Sequence, residues 1–351
     1  MRRARRLTPV LAALALALGL AGCGGGDDDA ASTTAATTAA ATTGAAAGDL
    51  FSNPVHSGNF PDPFVLEADG TYYAYATNGE GGNVPTLTSP DLVHWSTGPD
   101  AMPELGSWAY TGKTWAPEVL EANGRYVLYY TANAAEYGKQ CIGRGVADEP
   151  AGPFVDERKE PLVCQTDEGG SIDASPFRDE DGTLYLLWKN DGNCCGMDTW
   201  IYAQRLSADG LELVGEPKRL VRQDAGWEGS LVEAPTLWRE GERLYLFYSA
   251  NDYASEFYAV GYATCEAPLG PCEDAPENPI LETECEAAGP GHQTLVRDAA
   301  GDTWIVYHAW PPDAVGSVLP GRMLWIDRVS WEDGKPVVAG PTCGSQPAPG
   351  G

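Results

Sequence analysis

Apolar positions along this chain cluster into short aromatic and β-branched runs. Tyr72-Tyr73-Ala74-Tyr75, Tyr126-Val127-Leu128-Tyr129-Tyr130, Leu184-Tyr185-Leu186-Leu187-Trp188, Leu244-Tyr245-Leu246-Phe247-Tyr248 and Trp304-Ile305-Val306-Tyr307 each follow a turn glycine: Gly70, Gly124, Gly182, Gly241 or Gly301. Runs of this length and composition, bounded by Gly and Asp, predict strands joined in hairpins. No long stretch carries an apolar period of 3.6 residues, so the chain reads as all-β.

Eight or nine positions before each glycine stands a distinctive residue: Asp62, Trp115, Asp173, Glu233 and His292, at intervals of 53 to 60 residues. A fixed period of that size marks a repeated architecture in which each copy is one supersecondary unit. Each copy has room for about four short strands, which matches a propeller blade. Five copies predict a five-bladed β-propeller; the competing solenoid has shorter and more uniform repeats. If the ring closes, equivalent positions face one another across the axis, and three carboxylates meet at the centre.

The first 23 residues read as an export signal. Arg2, Arg3, Arg5 and Arg6 form a basic region, followed by a short apolar stretch from Leu7 to Leu20. Leu20-Ala21-Gly22-Cys23 resembles a bacterial lipobox, by which Cys23 would carry the lipid; the alternative is an ordinary cleaved signal. Residues 24–48, rich in Ala, Thr and Gly, read as a flexible tether. Residues 49–343 are expected to form one propeller domain, and 344–351 a disordered Pro/Gly-rich tail. Without the leader, 18 basic residues face 50 acidic ones. That surface repels nucleic acid and anionic lipid, leaves a lipid chain as the only membrane attachment, and suits a neutral polysaccharide. The chain is expected to be a monomer, exported and either lipid-anchored on the outer face of the cell membrane or secreted. Eight further cysteines in an exported chain predict up to four disulfides. Proximity favours Cys265 with Cys272 and Cys141 with Cys164.

Pro61-Asp62-Pro63-Phe64, Trp115-Ala116-Pro117-Glu118-Val119, Ile172-Asp173-Ala174-Ser175-Pro176-Phe177, Val232-Glu233-Ala234-Pro235 and Gly291-His292-Gln293 resemble, in order, the five blade motifs of glycoside hydrolase family 43. Each tripeptide alone is weak; five in register are specific. The resemblance implies an inverting arabinanase, α-L-arabinofuranosidase or β-xylosidase. It makes Asp62 the general base, Glu233 the general acid and Asp173 the carboxylate that orients and tunes the acid. Trp115, Phe64 and Arg322 would contact substrate, and His292 would lie beside a structural calcium ion on the axis. No cofactor is implied for the chemistry.

The residue chemistry agrees. Inversion needs one carboxylic acid for the leaving oxygen and one carboxylate for water on the opposite face, with roughly 6.5–9.5 Å between them. The acid must keep its proton near neutrality, which an ionised Asp173 and partial burial would favour, whereas Asp62 needs a solvated site that keeps it charged. Glu118 is the decoy: strand alternation turns it away from the face of Trp115, and it reads as structural. Trp115 would stack on a sugar face or pack between blades. Arg322 would reach substrate or the acid, or form an inter-blade ion pair. His56, His94 and His308 carry no expected role. No phosphate loop, nucleophile elbow or H-E-x-x-H pair is present. The expected activity is therefore hydrolysis of arabinose- or xylose-containing plant polysaccharide, with α-L-arabinofuranosides favoured from Asn83-Val84-Pro85-Thr86-Leu87 and the stretch 322–338. β-Xylosidase action is the alternative, and a non-catalytic sugar-binding propeller is the rival from another class.

Overall fold

The computed structural model describes residues 49–350. The signal peptide, Cys23 and the tether lie outside the described residues. Five antiparallel sheets follow one another along the chain. Blade I holds β2 (Phe64–Ala68), β3 (Thr71–Tyr75), β4 (Thr86–Ser89) and β5 (Ser96–Thr97). Blade II holds β6 (Ala109–Ala122), β7 (Arg125–Ala134) and β8 (Lys139–Ala147). Blade III holds β9 (Ser171–Arg178), β10 (Leu184–Asn190), β11 (Trp200–Leu206) and β12 (Leu213–Arg222). Blade IV holds β13 (Val232–Glu240), β14 (Arg243–Ala250), β15 (Ala259–Cys265) and β16 (Cys272–Asp274). Blade V holds β17 (Ala288–Arg297), β18 (Thr303–Trp310), β19 (Met323–Glu332) and β20 (Lys335–Val338). The first strands touch in a closed cycle, β2 to β6 to β9 to β13 to β17 and back to β2.

The aromatic runs lack polar alternation because both faces of each second strand are buried between blades. Leu128 and Tyr130 pack toward blade I with Val84 and Tyr75, while Val127 and Tyr129 pack toward blade III with Leu186 and Trp188. Five such cores fill the five inter-blade spaces. The one joining blade V to blade I sets Val296, Val306 and Ile326 against Val65 and Ala74. Each large side chain buried this way contributes about 1.5–3 kcal/mol relative to exposure.

The C-terminal residues are not a frayed tail. β21 (Ser345–Pro347) pairs antiparallel with β1 (Leu50–Ser52). Gln346 is buried and donates to Asp327 Oδ1 at 2.9 Å, and the Gly350 amide donates to Asp298 Oδ2 at 2.7 Å. A disulfide between Cys343 and Cys285 ties the segment down further. Composition predicts fraying here, but the edge of β1 offers unpaired backbone groups that this segment satisfies. Both disulfides expected from proximity, Cys141–Cys164 and Cys265–Cys272, are present, together with one between neighbours Cys194 and Cys195.

One irregularity recurs in every blade. The pairings Phe64 with Tyr75, Glu118 with Tyr129, Ser175 with Leu187, Thr236 with Phe247 and Thr294 with Val306 are regular. Three residues earlier on the first strand the partner is only two residues later on the second. Trp115 meets Thr131, Ile172 meets Lys189, Glu233 meets Ser249, Gly291 meets His308, and Thr77 donates its amide to Pro61. The extra residue forms a bulge, and the residue within it has positive φ: Asp62 (55°), Ala116 (42°), Asp173 (56°), Ala234 (52°) and His292 (51°). Such backbone costs about 1–3 kcal/mol at a non-glycine residue. It breaks the two-residue alternation, so neighbouring side chains can both face the axis.

This bulge corrects the register read from the glycines. Ala116 and Ala234, not Trp115 and Glu233, are level with Asp62, Asp173 and His292. Turn length varies between blades, so counting back through a turn is uncertain by one residue.

Candidate active site

Asp62, Trp115, Asp173, Glu233, His292 and Arg322 all line one cavity of about 330 Å3, and Thr77, Ile172, Asp191, Asn193, Cys194 and Tyr253 complete its wall. Ile172 and Asp173 are consecutive yet both face in, as the bulge allows. The cavity sits where the first strands begin, at one end of the axial channel.

Asp62 is the most tightly held carboxylate. Arg322 grips it in a fork, Nη1 to Oδ1 at 2.5 Å and Nη2 to Oδ2 at 3.3 Å, and the Thr77 hydroxyl donates to Oδ2 at 2.5 Å. His292 Nδ1 stands 3.2 Å from Oδ1. Burial pushes this carboxyl up, but the Arg322 guanidinium, His292 and the Thr77 hydroxyl outweigh it and hold Asp62 well below the usual carboxylate range. Asp62 is thus kept ionised by partners; the solvated site expected from its role is absent, since it is buried.

Backbone closure delivers Arg322 to this place. The Phe60 amide donates to the Arg322 carbonyl at 2.8 Å, and the Arg322 amide donates to Asn59 Oδ1 at 2.9 Å. Gly321, at φ 86°, lies so close to Asn59 that a Cβ would fall 2.1 Å from its side-chain oxygen, so only glycine fits. Arg322 therefore reaches Asp62, not Glu233. Its guanidinium also lies over the Tyr253 ring at 4.9 Å.

Glu233 is held on both oxygens. Tyr258 donates its hydroxyl to Oε1 at 2.8 Å, and the Lys189 ammonium lies 3.2 Å from Oε2. Tyr258 is fully buried beside Glu233 and Asp173, and burial before all else pushes its phenol well above its ordinary value, so it remains a donor. Asp173 Oδ2 accepts the Ala234 amide at 3.0 Å, which ties blade III to the residue after Glu233. Burial raises the Asp173 carboxyl to about 6; Glu233 adds to this, and His292 and Lys189 oppose it. Asp191, whose burial likewise raises it to about 6, adds a fourth carboxylate.

Phe64 is not in this cavity. It starts β2 beyond the bulge, leans on Tyr75 at 6.3 Å between centroids, and lines a second cavity of about 310 Å3 with Glu118, Ser175, Thr236 and Thr294. These five are the register-equivalent residues of the five blades, further down the same strands. Glu118 thus faces the channel, at its other end from Asp62. The segment 83–87 contributes nothing to the cavity wall either; Asn83 is tied to Asp100 and to the Met102 carbonyl.

Sequence reasoning missed Thr77, Lys189, Tyr258 and His308. His308 does have a role: its Nδ1 accepts the Asp62 amide at 3.1 Å and its ring stacks on Tyr258 at 5.8 Å. Burial, with Arg322 alongside, pushes the imidazole well below its usual range, so it is neutral and able to accept. A signal exists for all of them but Tyr258: Thr77, Thr131, Lys189, Ser249 and His308 close the aromatic runs at equivalent positions.

The groups around His292 do not fit a calcium cage. Calcium takes six to eight oxygen ligands, whereas here an imidazole faces a carboxylate already held by Arg322 and Thr77. Among the described residues, the one cluster of three groups with metal-ligand spacing is Glu284, Cys285 and Cys343, and those cysteines are joined to each other.

The model for glycosyl hydrolases family 43 matches residues 51–336. A thermostable family-43 glycoside hydrolase of known structure superposes with a TM-score of 0.78 at 34% identity, covering 85% of this chain and 99% of the other. A xylosidase/arabinosidase of Butyrivibrio fibrisolvens is 28% identical over 308 residues, which are 82% of this chain and 56% of that protein. This chain thus spans little more than half of that relative. A β-D-galactofuranosidase of Aspergillus niger is 26% identical over 272 residues, 73% of this chain and 75% of the other. With the family model matched across all five blades, the chain belongs to glycosyl hydrolase family 43.

Proposed function

We propose that the protein is an exported glycosidase that releases α-L-arabinofuranosyl residues from plant polysaccharide or its fragments, with inversion. The convergence of Asp62, Asp173 and Glu233 on one cavity of a family 43 propeller carries this reading. In the proposed reaction Glu233 gives its proton to the glycosidic oxygen as the bond from that oxygen to the anomeric carbon breaks. Water attacks the same carbon from the opposite face, and its proton passes to Asp62. Asp173 fixes the backbone after Glu233, and Trp115 offers an indole face to the sugar. Arg322 keeps Asp62 charged and in place.

The cavity is near the lower end of ligand-site volumes, about 300–1,000 Å3, which favours a terminal sugar over a long bound segment. A furanosidase and an enzyme acting on arabinosides both stand among the relatives, which supports a furanoside, with β-xylosidase action as the alternative. The disulfides support an oxidising compartment, and we place the lipid on Cys23. Comparing membrane and soluble fractions for wild type and Cys23→Ala tests that placement.

Incubation with arabinan, arabinoxylan and xylan, followed by proton NMR of the first-formed sugar, tests the activity. Arabinose appearing first as the inverted anomer is expected. Xylose alone would move the substrate to xylosides, and release no greater than that of Glu233→Gln would leave a sugar-binding propeller.

A further inference from the structure

The positive-φ residues are secured by a rule that one blade breaks. In each bulge the strained amide needs an acceptor, and the preceding blade provides it from the second-strand position level with the bulge. Thr77 accepts from Ala116 at 2.9 Å, Thr131 from Asp173 at 3.3 Å, Ser249 from His292 at 2.8 Å, and His308 from Asp62 at 3.1 Å. Blade III has Lys189 there, and an ammonium has three donors and no acceptor. The amide of Ala234 is left to the Asp173 carboxylate instead.

Blade III thus gives up a bond that four blades keep, and buries an ammonium completely to do so. A buried cation is costly unless it is paired and hydrogen-bonded. Lys189 meets that cost with Glu233 Oε2 at 3.2 Å and Asn193 Oδ1 at 2.8 Å. Asn193 stands on the short turn Gly192–Cys195, which projects Cys194 into the same cavity. Around Glu233 the facing groups are Lys189 and Asp191 from β10 and its end, Asp173 from β9, and Tyr258 ahead of β15. His292 and Asp62 stand across the cavity. Lys189 is the cation paired directly with Glu233, and its charge also lowers Asp173 and Asp191.

We infer that Lys189 is a positioning residue for Glu233: with Tyr258 it fixes the carboxyl toward the leaving oxygen, and its charge stabilises the carboxylate that forms when the proton departs. The inference rests on the glycosidase reading above. A proton leaving Glu233 creates a negative charge 3.2 Å from a fixed, fully buried ammonium, where such a pair acts more strongly than in water.

The test uses the leaving group. A dinitrophenyl arabinofuranoside needs little acid assistance, whereas an alkyl or simple phenyl arabinofuranoside depends on it. In Lys189→Met, kcat/KM is expected to fall by about 100-fold on the poor leaving group and by less than about 5-fold on the good one. The alkaline limb of its pH profile should move to higher pH. Asn193→Ala, on an exposed turn, should show the same selectivity at smaller size, and it carries the test if Lys189→Met fails to fold. Equal losses on both aglycones, or an unmoved alkaline limb, would overturn the role of Lys189. Inactivity of the wild type on every pentoside would overturn the glycosidase reading instead.

Discussion

Two rings of side chains cap the two ends of one channel, and they differ in what stands beside their acids. Asp62, Asp173 and His292 from the bulges, with Glu233 next to Ala234, form one ring; Phe64, Glu118, Ser175, Thr236 and Thr294 form the other, further down the same strands. Asp62 and Glu118 are nearly equally buried, at 8% and 9% exposed. Yet Asp62 is held well below the carboxylate range, while burial drives Glu118 well above it, with the Ser175 hydrogen bond too weak to compensate. The difference is Arg322, whose fork has no counterpart at Glu118. Position on the propeller axis makes a carboxylate buried; a cation delivered just ahead of β19 keeps it ionised.

The strongest way to break that comparison is to remove the acid function from each ring in turn. Asp62→Asn and Glu233→Gln should each lower kcat/KM on a poor-leaving-group arabinofuranoside by about 10²–10⁴-fold. Glu118→Gln should stay within about 2-fold, as for a change remote from the chemistry. Azide should restore turnover to Asp62→Asn, as a small anion replacing the activated water. Comparable losses in both rings would mean that the cavity of Asp62 holds no special chemistry.

A smaller effect is expected from the cation. Arg322→Met removes the largest of the groups that outweigh burial at Asp62, so the carboxyl rises toward its ordinary value. A depressed carboxyl gives stability that is present above its unfolded pKa and lost as pH falls through the folded one; without Arg322 that stabilisation shrinks and its loss begins at higher pH. The acid limb of kcat/KM should move up in the same direction, with a drop of about 10-fold or more near neutrality. Arg322→Lys should recover part of the limb but not the full rate, since a point charge cannot reproduce the fork. An acid limb unchanged in Arg322→Met would show that Asp62 owes its charge to something else.

How far the sequence discloses these rings follows from the same physics. The five blades are legible because strands buried on both faces must be aromatic and β-branched throughout, and their glycine turns punctuate them at a near-constant period. The carboxylates are legible because Asp62, Asp173 and Glu233 stand near the starts of the strands that precede those glycine turns. Their level is not: the bulge adds one residue that no composition rule marks, so from sequence Glu233 reads as equivalent to Asp62 and Phe64 as a substrate contact. Charge partners are harder still. Lys189 and His308 close their aromatic runs and Tyr258 belongs to none, and nothing local names their partners until closure of the ring sets them against Glu233 and Asp62. The segment after Cys343 reads as loose because its composition is loose; its order comes from the open edge of β1.

The smallest effect, and the sharpest on the lower ring, concerns stability. Glu118 has a folded-state carboxyl raised well above the unfolded value by burial first, and by Asp173 in addition. Its folded form therefore binds a proton that the unfolded chain has already released, and stability falls as pH rises from the unfolded pKa through the raised folded one. Glu118→Gln keeps the shape and hydrogen-bonding reach of the protonated acid without that penalty. Relative to wild type, its Tm should show no gain near pH 4 and a gain of about 2–4 °C near pH 8, the size of about 1 kcal/mol in a large domain. Activity should be unchanged throughout. A gain that is constant with pH would mean that the substitution acts through packing, and that Glu118 has a counter-charge after all.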